Sequence, residues 1–132
     1  MTAPVRVPRP AVPAVKAFLA EYLGAAALVR SNVPDKWTPS QTPVLVVDDD
    51  GGTSTFPVAL RRTVRLTAYA DGQTAARELV SLAWGALLSR RVPGLAHVRE
   101  GLVPVDAGRD REHTDAWLAS ATVLATVRTR TV

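Results

Sequence analysis

The 132 residues fit one domain of the commonest size, with room for a single core and none for a second ordinary domain. The absence of cysteine excludes disulfides, thiolate chemistry and Cys-ligated metal, and His97 and His113 are the only histidines left for acid–base or metal work. A net charge of +4 is modest for a nucleic-acid binder, and no apolar run is long enough to span a bilayer or to form a secretory leader, so the expected address is the cytosol with no membrane contact.

Residues Met1 to Pro13 contain Pro4, Pro8, Pro10 and Pro13, which block helix and leave few sheet donors. They are expected to form an extended proline-rich arm that orders along a neighbour, with a single domain over 14–132. From Ala14 the apolar residues Val15, Phe18, Leu19, Tyr22, Leu23 and Ala26 recur at helical spacing, and Pro13 suits the first turn of that helix. Gly24 and Val29 bracket its end.

Arg30 to Pro43 reads as a polar connection whose Trp37 either folds back onto the core or awaits a partner. Val44 to Val47 is a short β-branched run, read as a buried strand that stops at Asp48-Asp49-Asp50-Gly51-Gly52. Those five residues have the composition of a solvated turn or hairpin tip, and they lack the spaced ligands of a calcium loop. The next run, Thr55 to Tyr69, begins with Pro57 and then alternates. Val64, Leu66 and Ala68 take one face of that strand, with Arg65, Thr67 and Tyr69 on the other.

Asp71-Gly72 turns the chain, Thr74 is a candidate hydroxyl cap, and Ala76, Leu79, Val80, Ala83, Trp84 and Leu87 form a second helical stripe. Arg90 and Arg91 suit its C-terminal dipole before Pro93-Gly94 ends it. Tyr22 and Trp84 stand at core spacing. Ala96 to Val105 is a weakly patterned strand followed by the Asp106 to Arg111 segment. The stretch from Gly108 to Asp115, around His113, resembles an exposed loop laced with ion pairs. Trp117 to Val127 alternates cleanly, with Trp117, Ala119, Ala121, Val123, Ala125 and Val127 on one face and Leu118, Ser120, Thr122, Leu124, Thr126 and Arg128 on the other. So long a strand belongs at the centre of a sheet. The order of elements predicts an α+β domain, a mainly antiparallel β-sheet with two helices packed on one face.

No nucleophile elbow, phosphate loop or dinucleotide fingerprint occurs, so no catalytic, cofactor or metal residue is nominated and the chain is not expected to be an enzyme. Fourteen of the sixteen basic residues are arginine, in the groups Arg61, Arg62 and Arg65; Arg77, Arg90 and Arg91; and Arg128 with Arg130. These groups are open to three readings, as solvated surface, as protein interface or charged ring, and as nucleic-acid contact. No aromatic residue alternates with arginine on a strand, which argues against the last. The residues nominated for an oligomer or partner interface are Trp37, Asp49, Arg61, Arg62, Arg65, Arg109, Leu118, Thr122 and Arg128.

From about Val15 onward the chain resembles the tail terminator proteins of long-tailed bacteriophages with flexible tails, including minor tail and tail completion proteins of phages of actinobacteria. The resemblance lies in Phe18-Leu19 through Leu23-Gly24, Asn32-Val33-Pro34, the run Val44 to Val47 with Gly51-Gly52, the strand Val64 to Ala70, the helix with Ala75, Ala76, Leu79 and Leu87, and the closing Trp117 to Val123. Family members typically carry a basic residue before the glycine pair, where this chain has Asp49-Asp50. The resemblance implies a ring, a homohexamer, that caps the tail tube, ends its polymerisation and presents its other face to the head. The implied partners are further copies of the chain, the major tail protein tube and the connector or stopper proteins. The implied location is the head-proximal end of the virion tail, with the host cytoplasm as the site of assembly. A head-to-tail connector or stopper subunit, and a small enzyme or ligand-binding domain, are the alternative readings.

Overall fold

A computed structural model describes residues 4–55 and 59–131. The elements in chain order are β1 (Arg6–Pro8), α1 (Val12–Leu23), a 3-10 turn (Gly24–Ala26), β2 (Leu28–Arg30), β3 (Val44–Thr55), β4 (Ala59–Ala70), α2 (Gln73–Ser89), β5 (His97–Glu100), β6 (Val105–Arg109) and β7 (Trp117–Thr131). The class is α+β: the strands form one sheet in the order β1-β7-β4-β3-β2, with β5 and β6 also paired to β7, and both helices pack against it. All pairings are antiparallel except β2 with β3, which is parallel, so the sheet is mixed.

The core follows from the two-residue period of the long strands. Register places Leu66 beside Val47 on one side and Ala121 on the other, and Ala68 between Leu45 and Ala119, so inward side chains line up across three strands. Val64, Leu66, Ala68 and Ala70 of β4 and Ala119, Val123, Ala125 and Val127 of β7 are fully buried. Many of these are alanine, which lets α2 lie close to β4 and β7. From above, α1 contributes Val15, Leu19 and Leu23, and α2 contributes Ala76, Leu79, Val80, Ala83 and Leu87. Each fully buried leucine stabilises the fold by about 1.5–3 kcal/mol relative to leaving it exposed.

A smaller cluster occupies the opposite sheet face. Trp37, Val44, Val46 and Ala116 are buried there, with Leu28, Val33 and Tyr69 packed against them. The Trp37 indole N–H donates to the Thr42 carbonyl at 2.8 Å, and its ring meets Tyr69 edge-on at 6.4 Å. The connection after β2 therefore folds back over the sheet.

Several expectations are corrected. The Asp48–Gly52 segment is not a chain reversal but part of β3, where the register against β4 shifts between Asp49 and Gly52. The turn chemistry is nevertheless present, because the Asp49 carboxylate accepts the Gly51 N–H at 2.8 Å and Gly51 has φ +96. It produces a bulge within a strand instead of a hairpin tip. The expectation placed on Pro57 lies outside the described residues. Helix α2 starts after Gly72, which is the cap residue, and no Thr74 side-chain cap forms. Arg90 and Arg91 lie beyond the last turn. Ala96 to Val105 is not one strand: β5 and β6 are separate, each on β7. Helix α1 begins at Val12, and Ala11 is fully buried, so the arm ends earlier than Pro13. Arg6–Pro8 of that arm pairs with Thr129–Thr131 of the same chain, where the sequence pointed to a neighbour. Ala26 and Tyr22 are exposed, and Tyr22 stacks on Phe18 under the Arg90 guanidinium.

Candidate functional site

The nominated residues separate once the sheet is formed. Asp49 and Arg62 share the helix-side face, where the guanidinium donates to both carboxylate oxygens at 2.8 and 3.0 Å. The hydrogen bond from Arg62 holds the Asp49 carboxyl below its ordinary value; burial opposes it as the next influence, and the Gly51 N–H and the Arg62 charge add to the lowering. Arg62 is raised by the same bond. On the opposite face Arg65 pairs with Asp50 at 2.7 Å. The alternation of β4 thus divides Arg62 from Arg61 and Arg65, although all three are close in sequence.

Arg109 pairs with Asp115 at 2.9 Å, and its guanidinium lies 5.4 Å from the centre of the Trp117 ring. Trp37 is buried in the second cluster. Thr122 is also buried: its hydroxyl accepts the Leu102 N–H at 2.7 Å, and its carbonyl accepts both the Trp84 indole N–H at 3.0 Å and the Gly101 N–H at 3.1 Å. It fastens the β5–β6 connection to β7. Leu118 is half-buried. Arg61 and Arg128 are exposed and, among the described residues, belong to no ion pair.

An exposed feature that the sequence did not nominate runs along the outside of β7. Leu102, Val103 and Val105 are exposed by 68%, 56% and 50%, and every residue of β6 is exposed. Strand β6 pairs only with β7, so its outer row of backbone groups has no strand beside it among the described residues. The side chain of Asp106 anchors the strand to α2, accepting from Gln73 at 2.9 Å and Arg77 at 3.0 Å. The sequence signal was Leu102-Val103-Pro104-Val105 itself, an apolar run beside a proline, which reads as core until β7 is seen to lie on only one side of it.

Among the described residues no group of His, Cys, Asp and Glu side chains is placed to hold a metal ion. His113 lies in the exposed loop after β6, and His97 opens β5 on the surface. No protein-family model matches this chain, and no curated protein sequence matches it.

Proposed function

We propose that the protein is a structural subunit that assembles edge to edge into a ring and caps a bacteriophage tail tube, ending its growth and offering the other face to the head. The observation that supports the assembly is the outer edge formed by the β5–β6 connection and β6. An unpaired strand row next to exposed apolar side chains is a template for another strand, and soluble proteins normally blunt it with charge or cover it. Here Pro104 lies in the connection just before β6, which restrains extension of the strand row, while Leu102 and Val103 of that connection and Val105 of β6 are left to meet a neighbour. Arg61 and the exposed Arg65–Asp50 pair set register between subunits more than they add affinity. The tail assignment rests on the resemblance of the chain to tail terminators. Its partners are five further copies of itself in a six-copy ring, the major tail protein tube and the connector or stopper proteins. The loss of subunit freedom keeps the dilute protein apart until the tube supplies a template.

The test is electron microscopy of the protein with its cognate tail tubes and heads. A six-copy ring at the head-proximal end of the tube is the expected result. Copies found only on the head's portal assembly move the protein to the connector class, and binding to neither overturns both readings. The double substitution Leu102→Asp with Val103→Asp is expected to leave the fold intact and abolish the ring, and a ring that persists removes this edge from the contact.

A further inference from the structure

Where α2 ends, β5 begins and β7 passes Arg128, the surface sinks into a cleft of about 760 Å³. Leu88, Leu95 and Val98 line it as half-buried apolar groups, above the buried Leu87 and Val92. Arg9, Arg90, Arg91 and Arg128 stand around this floor with His97, and among the described residues no acidic residue lines the cleft. Those four arginines arrive from the segment after β1, the segment after α2, and β7, so their meeting is a product of the fold.

Among the described residues no ion pair compensates the charge of this rim, although Glu21 lines the adjoining groove with Arg90 and Arg91. The four ion pairs among the described residues involve Arg62, Arg65, Arg77 and Arg109, and none involves a rim arginine. Arg90 lies 5.0 Å from the centre of the Tyr22 ring, a contact that holds a guanidinium without cancelling its charge. The carbonyl end of α2 contributes only about half a negative charge, which four full positive charges outweigh. Guanidinium groups gathered without a carboxylate repel one another, and an anion relieves that repulsion through their paired N–H donors.

The floor decides which anion. A nucleic-acid backbone brings phosphates but leaves the leucine and valine floor uncovered, and among the described residues no aromatic ring lines the cleft to stack a base. A protein segment with carboxylates on either side of a large apolar residue satisfies rim and floor together. We infer that this cleft binds an acidic protein segment, with its apolar side chain on Leu88, Leu95 and Val98 and its carboxylates on Arg91 and Arg128. The site lies apart from the β6 edge and does not depend on the tail-capping reading.

The probe is a fluorescein-labelled peptide alternating Glu, Leu and Asp, followed by anisotropy at low ionic strength, with a labelled oligonucleotide and a peptide of Glu and Asp alone as comparisons. The mixed peptide is expected to bind tightest, and the charge reversals Arg91→Glu with Arg128→Glu are expected to weaken it by at least about tenfold. Leu88→Ser is expected to remove the advantage of the mixed peptide over the purely acidic one. If the charge-reversed protein does not fold by circular dichroism, Arg9→Ala with Arg91→Ala replaces it. Tighter binding of the oligonucleotide, no binding of the mixed peptide, or unchanged affinity in the arginine variants overturns the inference.

Discussion

Thr122 is a buried hydroxyl on the mixed face of β7, and its surroundings explain why valine would not replace it. Its Oγ1 takes the Leu102 N–H at the point where the chain passes from β5 to β6, and its backbone N–H donates back to the Leu102 carbonyl at 3.0 Å. Thr122→Val keeps the shape and leaves that N–H without its acceptor, at an expected cost of about 1–3 kcal/mol in urea unfolding. Thr122→Ser is expected to recover most of it. The Asp49–Arg62 fork is linked to pH. Because the folded carboxyl titrates below its unfolded value of 3.8, its contribution is complete above that value and lost as pH falls through the lower folded one. Both side chains are about one third exposed, so the pair is worth no more than about 1 kcal/mol. Asp49→Asn is expected to lower stability by that amount at neutral pH and to remove the corresponding part of the acid dependence, measured as urea midpoints in both proteins across the acid range. Residue type was sufficient to single out these charges in the sequence. Their pairing was not legible, because Asp49 faces Arg62 only through the bulge and across two strands, and the rim arginines of the cleft come from distant segments.

Helix α1 meets the sheet through three buried residues, and helix α2 through a longer stripe. Leu19→Ala and Leu87→Ala each remove a fully buried side chain and are each expected to cost about 2–5 kcal/mol in reversible denaturation. A small effect at Leu19 with a large one at Leu87 would show that α1 is the looser layer. The elements that were legible in sequence, α1, α2, β4 and β7, are those in which one face is largely covered, so the pattern of side chains repeats. The three-residue β2 has no room for a period, and its parallel partner β3 begins only after a long connection. Strands β5 and β6 were blurred into one because neither hides a face: β6 is exposed throughout and β5 nearly so. At Asp48–Gly52 the local chemistry was read correctly as a turn former, but neighbouring strand pairs held the chain extended and confined the irregularity to a bulge.

Across the whole molecule the organising strand is β7, which pairs with β4 along twelve consecutive positions from Ala59↔Arg128 to Ala70↔Trp117 and also carries β1, β5 and β6. A chain cut after Ala116 keeps every other element and loses the partner of four strands. It is expected to show no cooperative thermal transition by circular dichroism, and a melting curve like that of the intact protein would show that β3, β4 and the helices suffice. This position of β7 has a consequence in time as well as in space. Of the described elements it is the last to be translated, and at about 5–20 residues per second a ribosome needs on the order of a second to make it. Throughout that interval the growing chain displays an unmatched edge on β4 and an oily underside on α2. On a crowded messenger, a finished strand from one nascent copy meets the vacant place in the next before its own chain has closed, so exchange of β7 between copies is the misfolding route that synthesis order builds into this topology.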